Sequence, residues 1–560
     1  FAENLLSRRD DKTAIIFRGE AEVKSRISYR ELYEEVQRVA EGLKRFGVKK
    51  GDRVGGFIPN MPEAIIAMLA ASSIGAIWSS SSPDFGIKGV LDRFSQIEPK
   101  VIFAVDGYYY KGKIFDSQEK LKSILDQLPS VEHVVLINYT NQRKTDKVPM
   151  AVTWEDLAQP VTGEMTFEQL PFSHPLYIMY SSGTTGLPKS IVHSAGGTLI
   201  QHLKELMLHS NLREEDTIFY FTTCGWMMWN WFISSLAVGA TLVCYDGNPF
   251  YPGPDALLRM ADELDISIFG TSAKYIASLE NAGVVPREIS DFPKLRAILS
   301  TGSPLSDESF EYVYREWKEN VQLSSISGGT DIISCFILGC PMLPVYRGEI
   351  QCRGLGMDVD SFDGDGNSIT GNQGELVCKS AFPSMPIHFW NDPDKQKYHN
   401  AYFDVYPGIW RHGDYILLSE HGGITMFGRS DATLNPGGVR IGTAEIYRVV
   451  ENMNEIEDSV VIGQPYQGDE RVILFVKMNE EYQLDEELKK KIAGNIRSYC
   501  SPRHVPAIIL ETQDVPYTLN GKKVEIAVKK AIQGEEIKNK DALVNPGVLD
   551  YYKDIPELKV

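Results

Sequence analysis

This chain carries the segment Tyr180-Ser181-Ser182-Gly183-Thr184-Thr185-Gly186-Leu187-Pro188-Lys189. The apolar run 176–179 before it predicts a buried strand, and we expect a helix after it. Glycines let a backbone approach a ligand closely, while successive N–H groups and hydroxyls surround phosphate oxygens and a lysine adds positive charge. Pro188 stands where a Walker-type loop has its second glycine. The segment therefore predicts a phosphate-binding loop of another kind, in preference to a flexible surface loop.

Helix-like and strand-like patterns alternate on both sides of this loop. Helical periodicity covers 29–46 and 62–75, and strand patterns cover 53–59, 101–105 and 134–138. This rhythm predicts an α/β fold with layered, largely parallel sheets. The short glycine-rich segments of 346–377 indicate an antiparallel sheet or a β-barrel-like subdomain.

A second unit is expected after Gly428. The chain there passes a Pro/Gly cluster, Asn435-Pro436-Gly437-Gly438, and a compact βαβ-like pattern follows over 444–532. We place the boundary near Ser430, which divides the chain into a large N-terminal domain, 1–429, and a small mobile C-terminal α+β domain, 430–560. The chain opens at Phe1 without an initiator Met, so we expect a further N-terminal piece before it.

Composition excludes several classes of function. The formal net charge of -18 and the lack of any Lys/Arg-dense block argue against a nucleic-acid partner. The seven cysteines form no C-x-x-C pair, which argues against a disulfide framework or a zinc site and favours a reducing cytoplasm. We find no signal peptide and no apolar run long enough for a bilayer span, so no membrane association is expected.

The loop at 180–189 resembles the signature of the adenylate-forming superfamily, which includes acyl-CoA synthetases, luciferases and peptide-synthetase adenylation domains. Further segments resemble other motifs of that superfamily and follow in the same order. The resemblance implies an enzyme that uses ATP to form an acyl-adenylate. The loop residues that it implies for ATP binding are Ser181, Ser182, Gly183, Thr184, Thr185, Gly186 and Lys189.

Three more segments resemble nucleotide-binding motifs of the superfamily. The segment Ser300-Thr301-Gly302-Ser303-Pro304 implies adenine contacts by Gly302, Ser303 and Pro304. The segment Trp410-Arg411-His412-Gly413-Asp414 implies that Asp414 accepts hydrogen bonds from both ribose hydroxyls, while His412 reads as a surface or packing residue. The segment Gly428-Arg429-Ser430-Asp431 resembles the inter-domain hinge, which implies Asp431 as its pivot, Arg429 at the nucleotide, and Arg440 at the phosphates.

Two segments resemble the motifs that carry the chemistry. In Ser327-Gly328-Gly329-Thr330-Asp331, the resemblance places Thr330 at the phosphates and gives Asp331 to Mg²⁺. The superfamily has Glu at this position, and the shorter Asp side chain leads us to expect an intervening water. In Pro516-Tyr517-Thr518-Leu519-Asn520-Gly521-Lys522-Lys523, the resemblance implies Lys522 as the catalytic lysine and as a target for a lysine acetyltransferase. Arg497 matches the arginine that meets the coenzyme A phosphates in related acetate enzymes.

The chain resembles the acetoacetate-using acyl-CoA synthetases over essentially its whole length. Four longer segments carry this resemblance: 80–89, 222–231, 245–250 and 324–332. Gly328 falls where acetate-specific relatives carry a pocket-closing Trp, which implies room for a longer acid beside Gly329. We expect Trp226, Trp229 and Asn230 to form the new pocket walls, with Asn230 hydrogen-bonded to a keto oxygen. A synthetase for propionate or butyrate, a carrier-loading adenylation domain and an inactive nucleotide sensor are the alternatives.

Overall fold

We describe a computed structural model of the chain. The structure describes residues 1–20, 22–181, 187–430, 432, 434, 436, 441–466, 469–500, 502–518, 521–537, 540 and 543–559. The α-helices in chain order are α1 (Ala2–Leu5), α2 (Tyr29–Arg45), α3 (Pro62–Ser73), α4 (Ile87–Ile97), α5 (Gln118–Leu125), α6 (Trp154–Leu157), α7 (Ala195–Lys204), α8 (Met227–Ile233), α9 (Ala256–Glu263), α10 (Ala273–Asn281), α11 (Asp307–Tyr312), α12 (Gln396–Tyr402), α13 (Thr443–Val450), α14 (Glu486–Tyr499) and α15 (Glu525–Ile532). None of them combines the length and apolarity that a membrane span needs.

Two large sheets form the N-terminal part of the chain. The seven-stranded sheet has the order β16 (Gln322–Ser325), β15 (Ala297–Thr301), β14 (Ile268–Ser272), β12 (Thr217–Tyr220), β13 (Thr241–Tyr245), β1 (Thr13–Arg18), β2 (Val23–Ser28). The eight-stranded sheet has the order β22 (His388–Phe389), β11 (Lys189–Ser194), β10 (Pro175–Ser181), β4 (Ile77–Ser81), β3 (Arg53–Phe57), β5 (Val101–Val105), β8 (His133–Ile137), β9 (Ala151–Thr153). Most neighbouring strands pair in parallel, as the βαβ rhythm predicts.

Helices α2 and α3 pack between these sheets. Ser28 caps α2: its hydroxyl accepts from the backbone N–H of Glu31, whose carboxylate accepts in return from the N–H of Ser28. One face of α2 is buried, whereas α3 is apolar and buried almost all round, as expected of a helix enclosed by two layers. A single apolar cluster joins both helices to strands of both sheets, through residues such as Val54 and Leu242.

The sequence predicts a helix directly after the phosphate loop, but a strand, β11, follows it. Strands β10 and β11 pair antiparallel with Ser181 opposite Lys189, so the loop connects two strands, and α7 begins only after β11. That prediction was wrong because β11 is buried between β10 and β22, where an extended segment gains neighbours on both sides.

The glycine-rich region forms antiparallel sheets. A three-stranded sheet contains β17 (Ser327–Gly329), β18 (Ser334–Leu338) and β19 (Cys352–Arg353), and a four-stranded sheet has the order β20 (Val359–Phe362), β21 (Gln373–Cys378), β23 (Trp410–Leu418), β24 (Ile424–Arg429). The edge strands β20 and β24 do not pair with each other in the part of the chain that the structure describes, and Ile424 of β24 forms an isolated bridge with Ile350. The predicted antiparallel arrangement is therefore confirmed, and it does not depend on a closed barrel. Elsewhere in the N-terminal part, β6 (Gly107–Tyr110) and β7 (Lys113–Asp116) pair as an antiparallel hairpin.

The C-terminal part has its own sheet and its own cores. Strand β25 (Ile456–Tyr466) pairs antiparallel with β26 (Asp469–Met478), which pairs in parallel with β27 (Ile508–Glu511). Two apolar clusters lie on its two faces, and their buried members all come from residue 434 onward. The four clusters of the N-terminal part end at residue 426. The two parts therefore pack around separate cores, which is how domains are built.

Candidate active site

One cavity of about 1540 Å³ lies between the two parts of the chain and collects most of the predicted site residues. The predicted residues that line it are Ser181, Lys189, Trp226, Gly302, Ser303, Pro304, Gly328, Gly329, Thr330, Asp331, Asp414, Arg429 and Lys522. They come from seven segments spread over more than 300 residues of sequence. A cavity of this size accommodates ATP together with a small acid.

The phosphate loop and the Thr-Asp turn meet through an ion pair. The ammonium of Lys189, at the start of β11, lies 2.9 Å from Oδ1 of Asp331. The hydroxyl of Tyr402 donates to the same oxygen, and the Tyr402 ring stacks on Trp410 at 3.7 Å. Burial alone would raise the pKa of Asp331, but Lys189, His412 and Tyr402 outweigh it and hold that pKa well below its usual range. Asp331 is therefore charged at neutral pH.

The position of Thr330 depends on a histidine that the sequence analysis missed. His193, on β11, is fully buried, and its Nε2 lies 2.9 Å from the carbonyl oxygen of Thr330. Donation to a carbonyl requires the proton on Nε2. Burial lowers the pKa of His193 to about 4, which keeps the ring neutral. Residues 189–194 carry no alternating apolar pattern that would have singled it out.

Asp414 lines the same cavity. One guanidinium nitrogen of Arg429 lies 3.3 Å from its Oδ1, and Nε2 of His412 lies 3.6 Å from its Oδ2. Burial lowers the pKa of His412, so this ring is neutral at pH 7 in spite of its acidic neighbours Asp414 and Asp331. His412 lines the cavity. Its ring also packs edge-on against Phe336 at 4.7 Å, so the predicted packing role is confirmed, and its place in the cavity is an addition that the motif did not indicate.

The two adjacent lysines of the C-terminal motif have different surroundings. The side chain of Lys523 contacts Glu451, Asp458 and the carbonyl of Ser459, all within the C-terminal part. Both lysines line the cavity, but Lys522 makes no ion pair among the described residues. The pKa of Lys522 is lowered, first by burial and then by the charge of Arg429, against the opposing effect of Asp414 and Asp331. Lys523 is thus held by its acidic partners, which leaves Lys522 as the lysine available to a ligand in the cavity.

The acyl side of the cavity differs from the prediction in two respects. Trp226 lines the cavity, but Trp229 and Asn230 are fully buried outside its lining, and Trp229 donates to Asn60 at 3.1 Å. Their assignment as pocket walls was wrong, since successive residues of α8 point to different sides and only its start faces the cavity. Met227 and Met228 line it there.

Gly328 also has a role that the sequence did not reveal. A Cβ on Gly328 would lie 2.0 Å from the carbonyl oxygen of Ser334 and 2.6 Å from the Cα of Cys335, on the neighbouring strand β18. A Cβ on Gly329 would meet His412 at 3.6 Å and the backbone nitrogen of Asp331 at 4.0 Å, both ordinary distances. Gly328 is therefore required for the close approach of β17 and β18. Its role in opening the pocket stays a prediction.

Seven of the predicted residues are not among those that the structure describes. Ser182, Gly183, Thr184, Thr185, Gly186, Asp431 and Arg440 lie outside the described residues. The hydroxyl of Ser181, the last described residue before the loop, is buried and has no hydrogen-bond partner among the described residues. A ligand oxygen would satisfy it. Arg497 is exposed on α14 and does not line the cavity in this arrangement of the two parts.

The donors fit a magnesium ion that is held mainly by nucleotide phosphates. Among the described residues, no group of three or more His, Cys, Asp or Glu side chains converges as a metal cage. Asp331 uses one carboxylate oxygen for Lys189 and Tyr402, which leaves the other for a metal or its water. Mg²⁺ is commonly bound by one or two carboxylates together with substrate phosphates.

Comparisons with known proteins agree with this geometry. Residues 1–385 match the family described as AMP-binding enzyme. The chain is 52% identical to an acetoacetyl-coenzyme A synthetase from Rhizobium meliloti, over 100% of this chain and 86% of that protein. It is 53% identical to an acetoacetyl-CoA synthetase from Danio rerio, over 100% of this chain and 85% of that protein. The solved structure of an acetoacetyl-CoA synthetase from Streptomyces lividans superposes with a TM-score of 0.94 at 42% identity, covering 99% of this chain and 85% of that one.

Proposed function

This chain belongs to the AMP-binding enzyme family and, within it, to the acetoacetyl-CoA synthetases, and on that premise we propose that it joins acetoacetate to coenzyme A. The reaction is that of an AMP-forming acid–thiol ligase: it consumes ATP and gives acetoacetyl-CoA, AMP and pyrophosphate. One observation of the site carries the proposal. Lys189, Asp414 and Lys522, which come from both parts of the chain, face the same cavity.

The first step joins two anions, and the site supplies the positive charge that this requires. A carboxylate oxygen of acetoacetate attacks the α-phosphorus of ATP, and the bond from that phosphorus to the bridging oxygen of pyrophosphate breaks. Asp414 holds the ribose, which fixes the nucleotide for in-line attack. Lys522 lies where it stabilises the charge that builds up at the α-phosphate.

The second step exchanges the AMP group for the thiol. The sulfur of coenzyme A attacks the acyl carbonyl carbon, the bond to the AMP phosphate oxygen breaks, and the thiol releases its proton. We propose that the small domain, 430–560, rotates about Asp431 between the steps, because Lys522 occupies the cavity during the first. Rotation withdraws Lys522 and brings Arg497, exposed on α14, to the coenzyme A phosphates.

Several roles rest on the resemblance and the family together. We assign ATP phosphate contacts to Thr330 and to the loop residues Ser182, Gly183, Thr184, Thr185 and Gly186, and phosphate contact to Arg440. We assign Mg²⁺ to Asp331, where the ion would neutralise phosphate charge. Acetylation of Lys522 would remove the charge that adenylation needs, and we propose this lysine as a target for a lysine acetyltransferase. All seven cysteines are free thiols, which suits a cytoplasmic enzyme.

Acyl-CoA formation from a panel of acids tests the proposal. The purified enzyme is given ATP, Mg²⁺ and coenzyme A with acetoacetate, acetate, propionate or butyrate, and AMP, pyrophosphate and thioester are quantified. We expect acetoacetate to give the highest kcat/KM, with one AMP and one pyrophosphate per thioester. A preference for butyrate or propionate would favour the alternative acid, and release of ADP would contradict the adenylate route.

A further inference from the structure

Lys274 connects the large domain to the turn that carries Lys522. It lies in the first turn of α10, and its ammonium is 3.8 Å from the ring centroid of Tyr517 and 3.9 Å from Oδ2 of Asp458. Both partners belong to the small domain. Lys274, Tyr517 and Asp458 all line the cavity.

The position of Lys274 in its helix is unfavourable by itself. The positive end of the helix dipole lies at the N-terminus, where a cation is disfavoured and an acidic residue is preferred. Ser272 already satisfies the helix N-terminus, since its hydroxyl accepts from the backbone N–H of Tyr275. Lys274 contributes nothing to this cap. Its contacts across the cavity give the lysine a physical role at this position.

The partners of Lys274 are fixed to the base of the Lys522 turn. The hydroxyl of Tyr517 donates to Asp458 at 2.9 Å, and Lys523 donates to the same carboxylate at 2.7 Å. Tyr517 and Lys523 also pair across the turn, and the N–H of Thr518 donates to the carbonyl of Lys522 at 2.8 Å. A side chain that holds Tyr517 and Asp458 in place therefore also determines how far Lys522 can reach into the cavity.

Other contacts between the domains lie on the sheet that leads into the boundary. Gln373 on β21 donates to Glu445 at 3.2 Å, and Arg448 donates to the carbonyl of Met426 on β24 at 3.2 Å. Such contacts can persist while the small domain turns about a nearby pivot. The contacts of Lys274 cannot, because they are made to the turn that has to leave the cavity.

We propose that Lys274 is a positioning residue for adenylation: it docks the Lys522 turn by a cation–π contact with Tyr517 and an ion pair with Asp458. The inference rests on the two-step reaction proposed above. The side chain of Lys274 is 54% exposed, so each contact is of modest strength. Together they favour the docked arrangement by about 3- to 10-fold. Lys274 touches neither reacting group, and thioester formation does not need it.

The test separates the two half-reactions in Lys274→Met, which keeps the apolar stem and removes the charge. Adenylation is followed by acetoacetate-dependent pyrophosphate exchange, and thioester formation is followed from preformed acetoacetyl-AMP and coenzyme A. We expect adenylation to fall about 3- to 10-fold while thioester formation stays within twofold. Lys274→Arg, which preserves both contacts, should retain adenylation within twofold, and Lys294→Met, on the surface of the large domain, is the matched control.

A double variant identifies the contact itself. Tyr517→Leu removes the ring, and if Lys274 acts through it, adding Lys274→Met should slow adenylation less than it does in the wild type. An equal loss in both half-reactions, or no loss in either, would overturn the inference. If the wild type exchanges pyrophosphate with butyrate instead of acetoacetate, the proposed acid fails, and the same comparison then tests Lys274 with butyrate.

Discussion

At the scale of single residues, Lys522 and Lys523 form a matched pair for mutation. Lys522→Met should lower adenylation by about 10²- to 10³-fold, since it removes one charge aimed at the reacting phosphate. Its stability should stay close to that of the wild type, because Lys522 makes no ion pair within the described residues. Pyrophosphate exchange measures the first effect and thermal unfolding the second. Adenylation that survives Lys522→Met would contradict the mechanism.

Lys523→Met should have a different outcome. It leaves Glu451 and Asp458 facing each other in a buried site without their shared cation, which costs about 3 kcal/mol. Burial alone would lower the pKa of Lys523, but these two carboxylates raise it well above its usual range. We expect the Tm of the small domain to drop by roughly 10 °C. An unchanged Tm would show that the pair is not a structural element.

The buried His193 predicts how stability depends on pH. Its pKa is about 4 in the folded protein and 6.5 in the unfolded chain, so between these values only the unfolded chain binds the proton. Stability therefore falls as the pH drops from 6.5 towards 4, by about 2 kcal/mol at pH 5. His193→Gln, which retains a donor for Thr330, should lose this part of the dependence. Urea unfolding at pH 7 and pH 5 measures the loss of stability in each protein. If His193→Gln lost as much stability between the two pH values as the wild type does, this prediction would be refuted.

At the scale of elements, the close pairing of β17 and β18 predicts opposite results for two adjacent glycines. Gly328→Ala should destabilise the protein by about 3 kcal/mol, because the added methyl meets the backbone of β18. Gly329→Ala should change the free energy of unfolding by about 0.5 kcal/mol or less. Thermal unfolding compares them. Gly328→Trp should then lower stability as well, so its effect on the choice of acid has to be measured together with its Tm. Equal stability of the two alanine variants would contradict this.

Local pattern placed the helices and strands that were predicted with bounds, and one strand was missed. The strand at 101–105 and the helices at 29–46 and 62–75 appear within two residues of their predicted bounds, because burial periodicity repeats along each of them. Strand β11 was missed because only its tertiary neighbours make it a strand.

The site was predictable where the chemistry lies in contiguous motifs. Asp414, Lys522 and Asp331 were named in this way, and all three line the cavity, while their roles stay predictions. His193 and Tyr402 were not, because each acts through a contact with a residue more than 70 positions away in sequence or with a backbone carbonyl. Trp229 and Asn230 were misassigned because a motif does not specify which face of its helix meets the cavity.

At the scale of the whole molecule, separate cores imply separate unfolding. The buried apolar clusters of the large part end at residue 426 and those of the small part begin at residue 434, so the free enzyme should unfold in two calorimetric transitions. Lys523→Met should lower only the transition of the small domain, and His193→Gln only that of the large domain. A single transition that both variants shift would show that the domains unfold as one unit.

A ligand that bridges the cavity should couple the two transitions. A non-hydrolysable acetoacetyl-adenylate analogue would contact Asp414 on the large domain and Lys522 on the small one. At 1,000 times its Kd such a ligand stabilises by about 4 kcal/mol, and it must be released before either domain unfolds completely. We expect both transitions to rise and to merge towards one.

With Lys522→Met the large-domain transition should still rise, while the gain of the small domain should shrink, because the remaining ligand contacts are then mostly to the large domain. If the analogue raised the two transitions equally in the wild type and in Lys522→Met, Lys522 would not be the residue through which the small domain reaches the adenylate.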